Sequence, residues 1–390
     1  MARLIPFAYG FRPFFLAAGW HAPVAIGVWL WLYRAGLAPF DTLPAHQWHA
    51  HEMLFGFVAA AMAGFMLTAV PSWTGGRGFA GPPLIVLAAL WLVGRVAMAA
   101  AGVLPFWLVA PTELAFLPAL AATIAPSLLK SSSRNAPLLV VLFALWLSDA
   151  TFVRALHDGD VALASTAIRA ALDVVLLLVT IIGGRIVPAF TAAALRRRGA
   201  EFRVRTHPAV EALAIGGMIA LIVADLVAPG HGLTAAVVFV AALAHAARIA
   251  GWQTARTLAE PIVWVLHAAY GWLPIGLLLK SVWLVTGAGW AAHWPHALGA
   301  GAAATMILAV MTRASLGHTG RPLVVAKAIA LAYALLIAAV VVRVFGPALL
   351  PLAYTTNIAL AAILWISAFL IYAIVYTPIL LGPRTDGKPG

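Results

Sequence analysis

The stretch Trp48-His49-Ala50-His51-Glu52-Met53 carries two imidazoles and a carboxylate at the mouth of an apolar run that ends near Val70. Imidazole nitrogen takes up protons and transition metals alike, and an acid beside it can orient the ring. Residues two apart on a helix diverge by about 200°, whereas residues three and four apart share a face. His49 and His51 therefore look in opposite directions, and one helix can serve two sites. The His49 face continues through Glu52, Gly56, Ala60 and Ala63, and beyond Glu52 its small residues let a helix or a flat macrocycle approach closely. The His51 face continues through Phe55, Met62 and Met66, which are bulky. The competing reading is an interfacial histidine pair with its tips among lipid headgroups; the flanking Trp48 and Trp73 favour a ligand site.

These groups must be positioned by membrane helices. Of 390 residues, 64% are hydrophobic and 9% charged, and the mean hydropathy is +1.01, far from a soluble domain's mix. About 20 apolar residues cross a hydrocarbon core of about 30 Å, and such windows recur from 12–33, through 49–71 and 166–188, to 355–378, twelve in all. The sequence predicts an all-α polytopic protein with one transmembrane domain over 1–390 and a retained first helix. The net charge of +12 suits a nucleic-acid binder, but its distribution does not. Most Lys and Arg, including Arg3, Arg134, Arg196 to Arg198 and Arg203, fall in alternate loops, whereas His157-Asp158-Gly159-Asp160 and Pro229-Gly230-His231-Gly232 are nearly free of cations. The positive-inside rule then puts both termini in the cytoplasm and makes the lipid bilayer, not nucleic acid, the partner.

With no cysteine, disulfides, thiolate metal sites, iron–sulfur clusters and covalently attached haem are excluded. Metal binding falls to the twelve histidines. His46, His49, His51, His293 and His296 would lie at the outer ends of helices two and ten, with His21 and His267 at mid-membrane and His245, His207 and His318 toward the cytoplasm. A weak repeat relates 10–77 to 256–322: a shift of 245 places His51 on His296, Gly56 on Gly301 and Thr74-Gly75 on Thr319-Gly320, and a shift of 246 places His21 on His267. With an echo of Val70-Pro71 in Val187-Pro188, it suggests three four-helix units. Charges in hydrocarbon mark function by default. Glu52, Arg95, Glu113, Asp149, Arg154, Arg169 and Asp173 would lie in the middle or outer half, as buried ion pairs or as a cradle for haem propionates with a proton path. Arg185 would snorkel from the inner end of helix six or join that cradle.

The segments Gly10-Phe11-Arg12-Pro13-Phe14-Phe15, Trp48 to Gly56, Thr68 to Gly75, Gly183-Gly184-Arg185-Ile186-Val187-Pro188, Leu266-His267 to Trp272, and Met306 to Arg321 resemble the NnrS family. The resemblance implies a bacterial inner-membrane protein with haem and copper, tied to denitrification and to protection from nitric-oxide stress. Its motifs reach His49, His51, Glu52, Arg185, His267, His296, His318 and Arg321. A twelve-helix chain with outer histidines is also similar to the catalytic subunit of haem–copper oxidases, although helices six and seven lack the histidines that bind copper there. The expectation is an integral haem b protein, with copper as a second cofactor, that binds or reduces nitric oxide. Its haem ligands would be His49, His51, His296 and His267, with one haem between helices two and ten. Metal would fall to His267, His245 and His318, and Glu52, Arg95, Arg154, Arg169 and Arg185 would orient ligands or meet propionates. Turnover would make it a haem-dependent oxidoreductase fed by a quinol or another electron donor. The alternatives are a transporter or exporter using the histidines as a pathway for a metal or metal–nitrosyl species, and a haem sensor or assembly factor without turnover.

Overall fold

A computed structural model describes residues 5–130, 135–201, 205 and 207–388, and among them the chain is helical with no strand. Arg3, Arg134 and Arg203 lie outside the described residues. Among the described residues, twelve helices are long and apolar enough to cross a membrane: α1 (Phe11–Ala35), α2 (Ala45–Thr74), α3 (Pro82–Ala99), α4 (Phe106–Lys130), α5 (Leu138–Asp158), α6 (Val161–Arg197), α7 (Pro208–Val227), α8 (Gly232–Ala250), α9 (Pro261–Thr286), α10 (Gly289–His318), α11 (Lys327–Leu349) and α12 (Tyr354–Leu381). They fall on the twelve apolar windows. α6 outruns its window of 166–188 at both ends, because Asp160 accepts from the Leu163 N–H at its start and Arg196-Arg197 can sit in its last turn beside the carbonyl ends. Large apolar side chains such as Val86, Leu92, Val96 and Ile374 point outward, as lipid-facing surfaces require.

Two compact units emerge from the contacts. The first comprises Met1–Ala171, Arg313–Pro322 and Phe369–Gly390, hence α1 to α5 with the start of α6 and the ends of α10 and α12; the second comprises Leu172–Thr312 and Leu323–Ala368. Within the first, α1 and α2 pack closely because glycines remove side chains from the seam. A Cβ on Gly64 would meet Phe15 at 2.7 Å, and one on Gly56 would overlap His21 Nε2. α2 stops at Gly75, whose φ of 66° is open to glycine at little cost.

α2 is not a uniform α-helix. Glu52–Val58 is π-helical, and so is Ala297–Ala304 in α10, each starting at the residue after the histidine that the shift of 245 superposes. A π segment inserts a residue into the α ladder and occurs mostly at functional sites.

Candidate functional site: a buried acid–imidazole cluster

The helical period holds where the two histidines start. His49 lies against Trp29 of α1 with ring centroids 4.6 Å apart, while His51 turns the other way, between Phe55 at 4.9 Å and Phe152 of α5 at 4.6 Å. The fully buried His51 ring meets acid at both nitrogens: Nδ1 is 3.3 Å from Glu52 Oε1, and Nε2 is 3.1 Å from Asp149 Oδ1 and 3.6 Å from Glu113 Oε1. Arg95 of α3 bridges two of these acids, with Nη1 donating to Glu52 Oε1 at 2.7 Å and Nη2 donating to Glu113. His21 of α1 closes the far side, its Nε2 3.2 Å from Glu52 Oε2. The π turn contributes directly, since Trp91 Nε1 donates to the Gly56 carbonyl at 3.0 Å.

Charge is unbalanced here. Glu52, Glu113 and Asp149 are all buried, and among the described residues the one guanidinium paired with them is Arg95. A single charged residue at the centre of a membrane helix costs about 2.5–3.5 kcal/mol on insertion scales, so a surplus of two carboxylates calls for protons on the imidazoles or for a bound cation. The donor set suits a cation: one nitrogen of His51 and one oxygen each of Glu113 and Asp149 all lie within 4.8 Å of one another.

The second unit treats histidine differently. His267 Nε2 is 2.8 Å from Thr191 Oγ1 and its Nδ1 is 3.0 Å from Thr254 Oγ1, so each nitrogen meets a hydroxyl. His245 Nδ1 is 2.8 Å from the Tyr270 hydroxyl, which accepts from Arg248 Nη1 at 2.9 Å, and Arg248 pairs with Glu211. Lys280 pairs with Asp225, 3.9 Å from Asp173 and under the Trp294 ring. His296 is half-buried at the start of the π segment of α10.

The remaining candidates scatter. His318 lies between Tyr9 and Phe11 in the first unit; Arg154 pairs with Asp158 one turn along its own exposed face; Arg169 donates to Thr166 at 3.0 Å; Arg185 lies on α6 in the second unit. Of the sequence-derived site residues the cluster unites His51, Glu52 and Arg95. Glu113 and Asp149 were visible as membrane charges, but nothing along the chain pairs them with His51. Lys280 and Asp225 are membrane charges not among the candidates above, although a lysine inside an apolar run such as Leu277 to Val285 is itself a signal.

A family model described as NnrS protein matches residues 5–384, and no curated protein matches the chain. A match over nearly the whole length, on a fold of twelve membrane helices, places the chain in the NnrS family of membrane proteins linked to the nitric oxide response.

Proposed function

We propose that the protein is a membrane metalloprotein that binds, and with an electron donor reduces, nitric oxide at the acid–imidazole cluster of its first unit. The observation that carries this is the convergence of His51, Glu113 and Asp149 in a sealed site with surplus negative charge. One imidazole with two carboxylates suits a first-row transition ion, copper or non-haem iron among them. Such an ion would supply a position at which nitric oxide coordinates. The chain's own residues do the rest: Glu52 and Asp149 fix the His51 ring, Arg95 balances charge, and Phe55 and Phe152 exclude water from the ring's faces.

Haem b, which the family resemblance implies, fits these residues less well. A porphyrin iron needs a ring nitrogen with open space in front of it. His51 has a carboxylate at each nitrogen and His267 a hydroxyl at each. His49 and His296 stay haem-ligand candidates on the family resemblance alone. We place the protein in the bacterial inner membrane with both termini cytoplasmic, and the cluster, near the outer ends of α2 and α3, in the periplasmic half. A quinol or comparable donor would supply electrons if there is turnover.

Metal analysis and an anaerobic optical spectrum of protein purified from metal-replete cells test the proposal. We expect about one non-haem metal per chain, lost in His51→Ala and in Asp149→Asn, and a spectrum that changes when nitric oxide is added. Metal-free wild-type protein that leaves nitric oxide unbound would refute it.

A further inference from the structure

A small cavity adjoins the cluster, and Glu113 and Asp149, two of the proposed metal ligands, are among the residues that line it. Its apolar wall includes Phe55, Trp91, Phe116 and Leu117, and its polar end is formed with Arg95 and Glu113. It has room for about one water-sized molecule. Two buried polar atoms of the residues that line it have no hydrogen-bond partner: Arg95 Nε, a donor, and Glu113 Oε2, on side chains 8% and 1% exposed. Such atoms are rare, because nearly all buried polar groups find a partner. Glu113 Oε2 also lies where Gly94 lacks a side chain, since a Cβ there would stand 3.1 Å away. A donor and a carboxylate oxygen left open beside aromatic walls are the lining of a binding site.

We propose that this cavity binds one neutral molecule no larger than a diatomic, which accepts a hydrogen bond from Arg95 Nε–H and rests its apolar surface on Phe55 and Trp91. The surplus carboxylates repel an anion, and the volume excludes anything larger. Within that class, nitric oxide is the occupant. Its identity rests on the function proposed above, whereas the pocket itself does not. The site stands beside Glu113, so the ligand would lie against the cluster.

Fluorine NMR of the full chain labelled with 5-fluorotryptophan, in nanodiscs and stripped of metal by chelation, tests this. The probe is nitric oxide itself, whose unpaired electron broadens nearby fluorine signals, and the Trp91 signal is assigned by its loss in Trp91→Phe. Trp31 and Trp107, 62% and 74% exposed, report nitric oxide dissolved in lipid, whereas Trp91 is 7% exposed. We expect Trp91 to broaden at least as much as these two, and to lose that broadening in Gly94→Ala or in Leu117→Phe, which fill the cavity from different walls. Broadening that spares Trp91 in the wild-type protein, or that persists in full when a folded variant fills the cavity, overturns the proposal. Metal plays no part in this readout, so a failed metal centre appears in the metal content and a failed pocket appears here.

Discussion

Two histidines, one in each unit, show how partners decide what an imidazole can do. His51 in the first unit faces carboxylates at both nitrogens, together with a guanidinium and a third acid. His267 in the second unit faces two threonine hydroxyls. Hydroxyls can donate or accept, so His267 is satisfied as a neutral ring and joins α6, α9 and the segment before α9 without calling for any charge. Carboxylates only accept, so the His51 site is incomplete without added positive charge. The same residue type is thus a cross-brace in one unit and a candidate ligand in the other.

Removing the built-in cation from each unit should have the largest effect. Arg95→Met leaves three buried carboxylates with no guanidinium and should cost about 3–5 kcal/mol, enough to abolish folded protein in detergent; loss of one partner of a buried ion pair has costs of that size. Lys280→Met leaves Asp225 and Asp173 and should cost toward the lower end of that range, in keeping with its smaller acid surplus. Thermal unfolding read by intrinsic fluorescence checks both. Equal, small shifts would erase the contrast between the units.

Exchange of the two histidines sharpens the difference next. His51→Ala should remove metal entirely, whereas His267→Ala should keep it and lose about 1–2 kcal/mol from two broken hydrogen bonds. Metal content and melting temperature, measured on the same preparations, separate the effects. Metal lost from the His267 variant alone would move the centre to the second unit.

How far the sequence reaches is plain from these residues. Twelve spans follow from the length of apolar runs, and the divergence of His49 and His51 follows from the helical period; both are local properties. The π turn at Glu52–Val58 is not local, because its extra residue is stabilised by contacts such as that of Trp91 with the Gly56 carbonyl, which come from another helix. The partners of His51 are likewise set by how α4 and α5 pack on α2. A membrane charge announces that it needs a partner without naming it, so along the chain Glu113 and Asp149 are separate charges. Thr254 precedes α9 in a short turn and looks like any loop threonine until it meets His267.

The π segments offer a third, smaller contrast. A Cβ on Gly301 would stand 2.7 Å from Trp272 Cγ and 2.9 Å from its Cβ, close to the backbone, whereas one on Gly56 would meet the tip of the His21 ring. A ring tip can swing aside and a Cβ cannot, so Gly301→Ala should be the costlier of the two within the 1–3 kcal/mol that overpacking takes, about 3 against about 1. The Gly56 variant should also disturb the pairing of His21 with Glu52, and it should lower metal occupancy while Gly301→Ala leaves it intact. Unfolding midpoints and metal content decide the order.

The smallest effect belongs to an ion pair that, unlike the cluster, lies outside the membrane-spanning helices. After α12 the chain turns back on the end of α10: Arg384 Nη1 donates to the His318 carbonyl at 2.7 Å, the Thr385 N–H donates to the Thr319 carbonyl at 3.0 Å, and the Arg384 guanidinium donates to both carboxylate oxygens of Asp386 at 2.8 and 2.6 Å. Those hydrogen bonds from Arg384 hold the Asp386 carboxyl below its ordinary range. A carboxyl depressed in the folded state adds stability that is present above its unfolded value, near the ordinary aspartate range, and lost as pH falls through the folded value. Between pH 5 and 8 the clasp should therefore be insensitive to pH, loosening only in acid stronger than that in which free aspartate protonates. The pair is exposed to solvent, so salt should weaken it within the Debye length, about 10 Å at 0.1 M. A spin label on the tail should gain mobility in Asp386→Asn at neutral pH, with metal content unchanged there, and in wild-type protein only in strong acid. Mobility that rises between pH 7 and 5 would instead assign the clasp to a histidine, and His318, whose carbonyl it grips, would be the first to replace.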